Sequence, residues 1–95
     1  MLIKFDDGRK YDVRFEYKRV YPDGLVDTTC EISTVEIEHG DNYKYTPIAI
    51  GVAEQSKKDK HVKAIARIVA LTKALSIFSK EDRRIIWNGY WEHIK

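Results

Sequence analysis

Cysteine is nearly absent from this chain: Cys30 stands alone among 95 residues, so no disulfide can form within it. A reduced core thiol of a cytoplasmic protein is the expected role of Cys30. Long apolar runs are also missing, which excludes a membrane-spanning helix. Met1-Leu2-Ile3 is followed at once by Lys4 and Asp6, so no apolar signal-peptide region is expected. His39, His61 and His93 are scattered and share no ligand spacing with Cys30. Asp6 and Asp7 lack the rest of a calcium loop. No P-loop, dinucleotide fingerprint or serine elbow occurs. Glu36 and Glu38 share a strand face, where alternating carboxylates ordinarily face water. A nonenzymatic protein without metal or cofactor is the expectation.

What is present is a division of charge. Residues 1–56 carry eleven acidic and seven basic side chains, whereas residues 57–95 carry four and ten. The net charge of +2 hides halves of −4 and +6. A basic segment of this kind attracts a polyanion, either nucleic acid or an acidic protein surface.

The patterning predicts a single α+β domain over residues 1–95, a four-stranded antiparallel sheet followed by two helices (ββββαα). Leu2 to Phe5 reads as a short strand, and Asp6-Asp7-Gly8 as a turn. In Lys10 to Val20, Tyr11, Val13, Phe15 and Tyr17 alternate with Asp12, Arg14, Glu16 and Lys18. This strand has one dry and one wet face. Tyr21-Pro22-Asp23-Gly24 is a turn, since proline presets φ and glycine suits the exit. Val26 to Glu38 reads as the third strand, with a bulge near Ser33 or Thr34 because Ile32 and Val35 are three apart. After the His39-Gly40-Asp41-Asn42 turn comes a fourth strand, Tyr43 to Ala53, at an edge because of Pro47. Strict alternation puts Tyr43, Tyr45, Ala49, Gly51 and Ala53 on one face. It puts Ile48, Ile50 and Val52 on the other, where the last helix or a second subunit must cover them.

Ser56 to Phe78 reads as a helix with Asp59 in its first turn. Val62, Ile65, Val69, Thr72 and Leu75, with Ile68, form its expected buried stripe. Ala64, Ala66, Ala70 and Ala74 permit tight packing. Ser79 to His93 reads as a second helix, with Ser79 as cap and early acidic residues Glu81 and Asp82.

Two surfaces are candidates for function. The first is basic: Lys57, Lys58, Lys60, Lys63 and Arg67, with the last three on one helical face. Lysine contacts phosphate as a point charge and arginine can grip it bidentately. Arg14 and Lys18 extend this surface if their strand face lies nearby. An ordinary solvated helix face explains the same residues. The second surface is the last helix, where Arg83, Arg84, Trp87, Tyr90 and Trp91 form an expected interface. Both aromatic stripes, Trp87-Trp91-Ile94 and Ile86-Tyr90, could equally close the core. An exposed tryptophan would dominate partner affinity or stack on a base. Tyr11, Tyr17, Tyr43 and Tyr45 fit a stacking platform or a core.

Gly51-Val52-Ala53, followed by Asp59, Lys63, Arg67, Ala70-Leu71 and Ala74-Leu75, resembles a recurring pattern in small phage-encoded accessory proteins. Cys30-Glu31-Ile32-Ser33 resembles their third strand. Ala66 and Ile68 depart from the pattern, which has Gly and Lys there, and remove one basic contact. The resemblance implies an accessory factor acting in the host cytoplasm on a host or defence protein, or on nucleic acid. An inhibitory interaction protein is therefore the first expectation, with a homodimer through the spare sheet face. A nucleic-acid-binding protein using the basic helix is the second.

Overall fold

A computed structural model describes residues 1–20, 22–58 and 60–94. It has the expected ββββαα architecture. The strands are β1 (Leu2–Lys4), β2 (Lys10–Val20), β3 (Leu25–Ile37) and β4 (Tyr43–Glu54). The helices are α1 (Lys63–Ala74) and α2 (Lys80–His93), joined by a 3-10 turn at Leu75–Ile77. The sheet is an antiparallel meander in the order β1-β2-β3-β4, so β1 and β4 are its edges. Gly24 takes a φ of +71° at the exit of the β2–β3 turn, as its sequence requires. Tyr21 and Asp59, expected in a turn and in a first helical turn, lie outside the described residues.

Both helices cover one face of the sheet. Tyr11 and Val13 of β2, Cys30 and Ile32 of β3, and Ala49 and Ala53 of β4 are buried there. Leu71, Leu75, Ile86 and Tyr90 close over them from the helices. At one end the rings of Phe5, Tyr11 and Phe78 pack edge to face at 5.2 and 5.4 Å. Ser79 caps α2, its hydroxyl accepting from the Asp82 amide at 3.2 Å. Glu81 and Asp82 occupy the first turn, as the sequence predicts. Arg9 ties that turn to the β1–β2 hairpin by a two-pronged bond to Asp82, at 2.9 and 3.1 Å. This bond holds the Asp82 carboxyl below its ordinary range.

Three expectations require correction. The first concerns the bulge. Ile32 lies opposite Ala49, but Ser33 lies opposite Pro47, so the extra residue is Ile48 on β4 rather than a residue of β3. Strand β3 stays in regular register with β2 through Thr34. One inserted residue inverts the pleat beyond it. Tyr43 and Tyr45 therefore share the outer face with Ile50 and Val52, instead of the helix-covered face with Ala49, Gly51 and Ala53.

The second concerns α1. It begins at Lys63, not Ser56. In the preceding segment, side chains hold the backbone in other arrangements. The Val26 amide donates to Gln55 Oε1 at 2.8 Å, and the Lys58 amide to Ser56 Oγ at 3.2 Å.

The third concerns the buried stripe. Ala70, Leu71 and Ala74 are the buried residues of α1, whereas Val62, Ile65, Val69 and Thr72 are exposed. The small stripe goes inward because Gly51 of β4 has no side chain. Built there, a Cβ would fall within 3.0 Å of the Ala70 carbonyl, the Ala74 amide and the Lys73 Cβ. A helix this close to the sheet accommodates alanine and not isoleucine.

Candidate interaction surfaces

The predicted basic surface is dispersed. Lys57, Lys58 and Lys60 lie in the connection before α1, so they do not share a helical face with Arg67. Lys57 pairs with Asp23 on the β2–β3 turn, at 3.4 Å with both side chains well exposed. Such a pair contributes little in water. Lys63 sits over the ring of Tyr17, its Nζ 4.5 Å from the centroid. Arg67 turns inward, and its Nε is buried. Arg14 and Lys18 do not extend a basic patch. Arg14 donates to Asp12 at 2.6 Å and lies opposite Glu31, while Lys18 lies opposite Asp27.

The last helix divides its aromatic residues. Tyr90 is buried and belongs to the core, which corrects its assignment to an interface. Burial raises its phenol above the ordinary range, and the charge of Arg67 partly offsets this. Trp87 packs half-buried against that core, and Trp91 is 44% exposed. The two indoles stack at 5.9 Å with planes 19° apart. Tyr90 supports the outer indole edge-on at 5.1 Å. Helical spacing places Lys80, Arg84, Asn88 and Trp91 in one row, beside a recess of about 650 Å³ that they line with Trp87. Arg83 is partly committed, donating to the Phe78 carbonyl at 3.1 Å. Arg84 lies 3.9 Å from Glu81, with both side chains mostly exposed.

The outer face of the sheet is a third surface, where the sequence placed Ile50 and Val52 and where the bulge also brings Tyr43 and Tyr45. Tyr43 (56% exposed), Tyr45, Ile37 and Ile50 (60%) lie open there. Neither helix crosses this face. The Arg14 guanidinium lies 5.0 Å from the Tyr45 ring centroid and marks its polar border.

Cys30 is fully buried, and burial pushes its thiol up to about 12. A thiol so placed is a packing group. Among the described residues, no three His, Cys, Asp or Glu side chains group as metal ligands, and no helix is long and apolar enough to cross a membrane. Comparison with protein-family models, with curated proteins and with solved structures finds no match.

Proposed function

We propose that this chain is a nonenzymatic interaction protein that docks through the exposed face of α2. The stacked Trp87–Trp91 pair, flanked by Lys80 and Arg84, carries the reading. Tryptophan and arginine dominate binding energy where they become desolvated together. Here Trp87 packs on the core and Trp91 stacks on Trp87 and Tyr90, so little side-chain freedom is lost on docking. The fitting partner is an acidic protein surface with an apolar recess for Trp91. The resemblance to phage-encoded accessory proteins supports a host or defence complex as that partner, inhibited by occlusion in the host cytoplasm.

Affinity measurements with a captured partner test this reading. Trp91→Ala and Arg84→Glu should each weaken binding by roughly thirtyfold, the effect of losing about 2 kcal/mol at a hot spot. Undiminished binding would refute the assignment. Electrophoretic titration with single- and double-stranded DNA and RNA covers the alternative. No stable complex is expected at about 0.15 M salt; a tight complex weakening steeply with salt would favour nucleic acid instead.

A second copy is the occupant we propose for the outer sheet face. The apolar patch around Tyr45 and Ile50 is bordered by both charge signs, Arg14 and Glu31. A two-fold axis through such a patch can set each sign against its opposite.

A further inference from the structure

The inner face of β2 is closed at one end, where Tyr11 meets Phe5 and Phe78, and open at the other. At the open end, Phe15 and Tyr17 floor a cleft between α1 and the C-terminal turn of α2. Two adjoining cavities make up this cleft, of about 320 and 400 Å³, and both are lined by Tyr17 and Lys63. Together they fall within the size range of small-molecule sites, roughly 300–1,000 Å³.

The lining is one-signed. Arg67, Lys63 and Arg19 contribute to it, with His61 and His93, and among the described residues no aspartate or glutamate does. Neither Lys63 nor Arg67 has an ion pair among the described residues. Lys63 is held instead by the face of Tyr17. The walls are aromatic as well: Phe15 meets Tyr90 at 5.8 Å, and Tyr17 meets the His61 ring at 6.5 Å.

A second observation points to the same place. Three buried side-chain atoms have no hydrogen-bond partner among the described residues: Arg67 Nε, His61 Nε2 and Thr28 Oγ1. The first two belong to the cleft lining, and Thr28 lies directly opposite Tyr17 in the sheet. Buried polar groups are almost always satisfied, and each exception calls for a cause. Convergence of the Arg67 and His61 atoms on one cationic cleft supplies one.

We propose that this cleft binds a small organic anion, its phosphate or carboxylate head held by Arg67 and Lys63 and its flat apolar body against Phe15, Tyr17 and Tyr90. The arginine fork matches either head group bidentately, and the lysine adds a mobile point charge. The cations disfavour a metal ion, and the aromatic floor disfavours a bare inorganic anion as the whole ligand. The site is separate from the docking face of α2, since Tyr90 points inward where Trp91 points outward.

Amide chemical-shift titration of the full chain tests the proposal, with phenyl phosphate, benzoate, inorganic phosphate and neutral benzyl alcohol as probes. Phenyl phosphate or benzoate should give saturable shifts centred on Tyr17, His61, Lys63 and Arg67, and comparison of the two identifies the preferred head group. Benzyl alcohol should give none, and inorganic phosphate only weak ones. Arg67→Gln should weaken binding at least tenfold and Lys63→Gln at least fivefold. Lys63 is exposed, so its variant decides the matter even if Arg67→Gln fails to fold. The proposal is overturned by shifts centred on Lys80, Arg84 and Trp91. It is equally overturned by the lack of saturation at about 10 mM of both aromatic anions, or by wild-type affinity in Lys63→Gln.

Discussion

Replacing Gly51 by alanine adds one methyl group, and the structure says that this methyl has nowhere to go. It would meet the Ala70 carbonyl, the Ala74 amide and the Lys73 Cβ, all within 3.0 Å. Two of these are helix backbone atoms, which cannot rotate aside as a side-chain tip can. Helix α1 must lift from β4, loosening Ala70, Leu71 and Ala74, which are all buried. Overpacking a core ordinarily costs roughly 1–3 kcal/mol, and a backbone obstruction belongs at the upper end, about 3 kcal/mol. A domain of this size has about 5–14 kcal/mol in all. The expected fall in Tm is about 12–24 °C, from roughly 4–8 °C per kcal/mol. Thermal unfolding followed by circular dichroism measures it, and urea unfolding gives the free-energy change. Gly89→Ala is the internal control. Its Cβ would meet only the Ile3 side chain, at 3.0–3.3 Å. There the helix gains about 1 kcal/mol from losing a glycine, so the net change should stay within about 1 kcal/mol. If Gly51→Ala unfolds within about 0.5 kcal/mol of the parent, the α1–β4 spacing argued above is wrong.

Three further outcomes are expected. The Cys30 thiol is pushed from 9.0 up to about 12, so between those values the unfolded chain has released its proton while the folded chain keeps it. Stability should therefore fall as pH rises from about 9 toward 12, more steeply than in Cys30→Ala; parallel pH profiles would contradict this. Sedimentation should show concentration-dependent dimers that disappear in a Tyr45→Glu, Ile50→Glu double variant, and a parent that stays monomeric at high concentration would rule out the sheet-face dimer. Lys73 donates from Nζ to the Val52 carbonyl at 2.9 Å on the open edge of the sheet. Lys73→Met should raise light scattering on prolonged incubation by uncovering that edge, and a parent-like scattering trace would mean that the lysine does not protect it.

The strand and helix order was readable because each element has a clean period and each connection has strong turn chemistry. Pro22 to Gly24 and Ser79 to Asp82 say locally what the fold does globally. The positions that misled are those where tertiary spacing outranks hydrophobicity. Nothing in the α1 sequence alone favours Ala70 and Ala74 over Ile65 and Val69 as the buried side. The decision belongs to Gly51, on another element, which brings the helix so near that only alanines fit. Gly51, Ala53, Ala70, Leu71, Ala74 and Leu75 are also among the residues that carry the resemblance to phage-encoded accessory proteins, and all six are buried. Lys63 of the same pattern is exposed, and Val52 and Arg67 are half-buried. The buried part of the pattern describes how a helix rides on a sheet.

The same reasoning separates the surfaces. A strand edge and an apolar strand face usually invite association together, yet β4 treats them differently. Its edge is obstructed three times over: by Pro47, which has no amide to donate, by the register shift at Ile48, and by Lys73 on the Val52 carbonyl. Its outer face has no such protection, because the bulge turns Tyr43 and Tyr45 toward Ile50. An association that simply extended the sheet would have to break the lysine contact and cross the bulge. One that packs face to face meets neither obstacle. Arg67 follows a similar logic. Its sequence neighbours made it one cation of a solvated stripe, but with α1 starting only at Lys63, the residues that would have continued that stripe are no longer helical. What remains on the helix is a pair at the cleft, the exposed Lys63 over the Tyr17 ring and Arg67 with its Nε buried. The charge division of the chain thus becomes two separate basic features, one outward on α2 and one inward in the cleft. Variants at Trp91 and at Lys63 should affect different ligands.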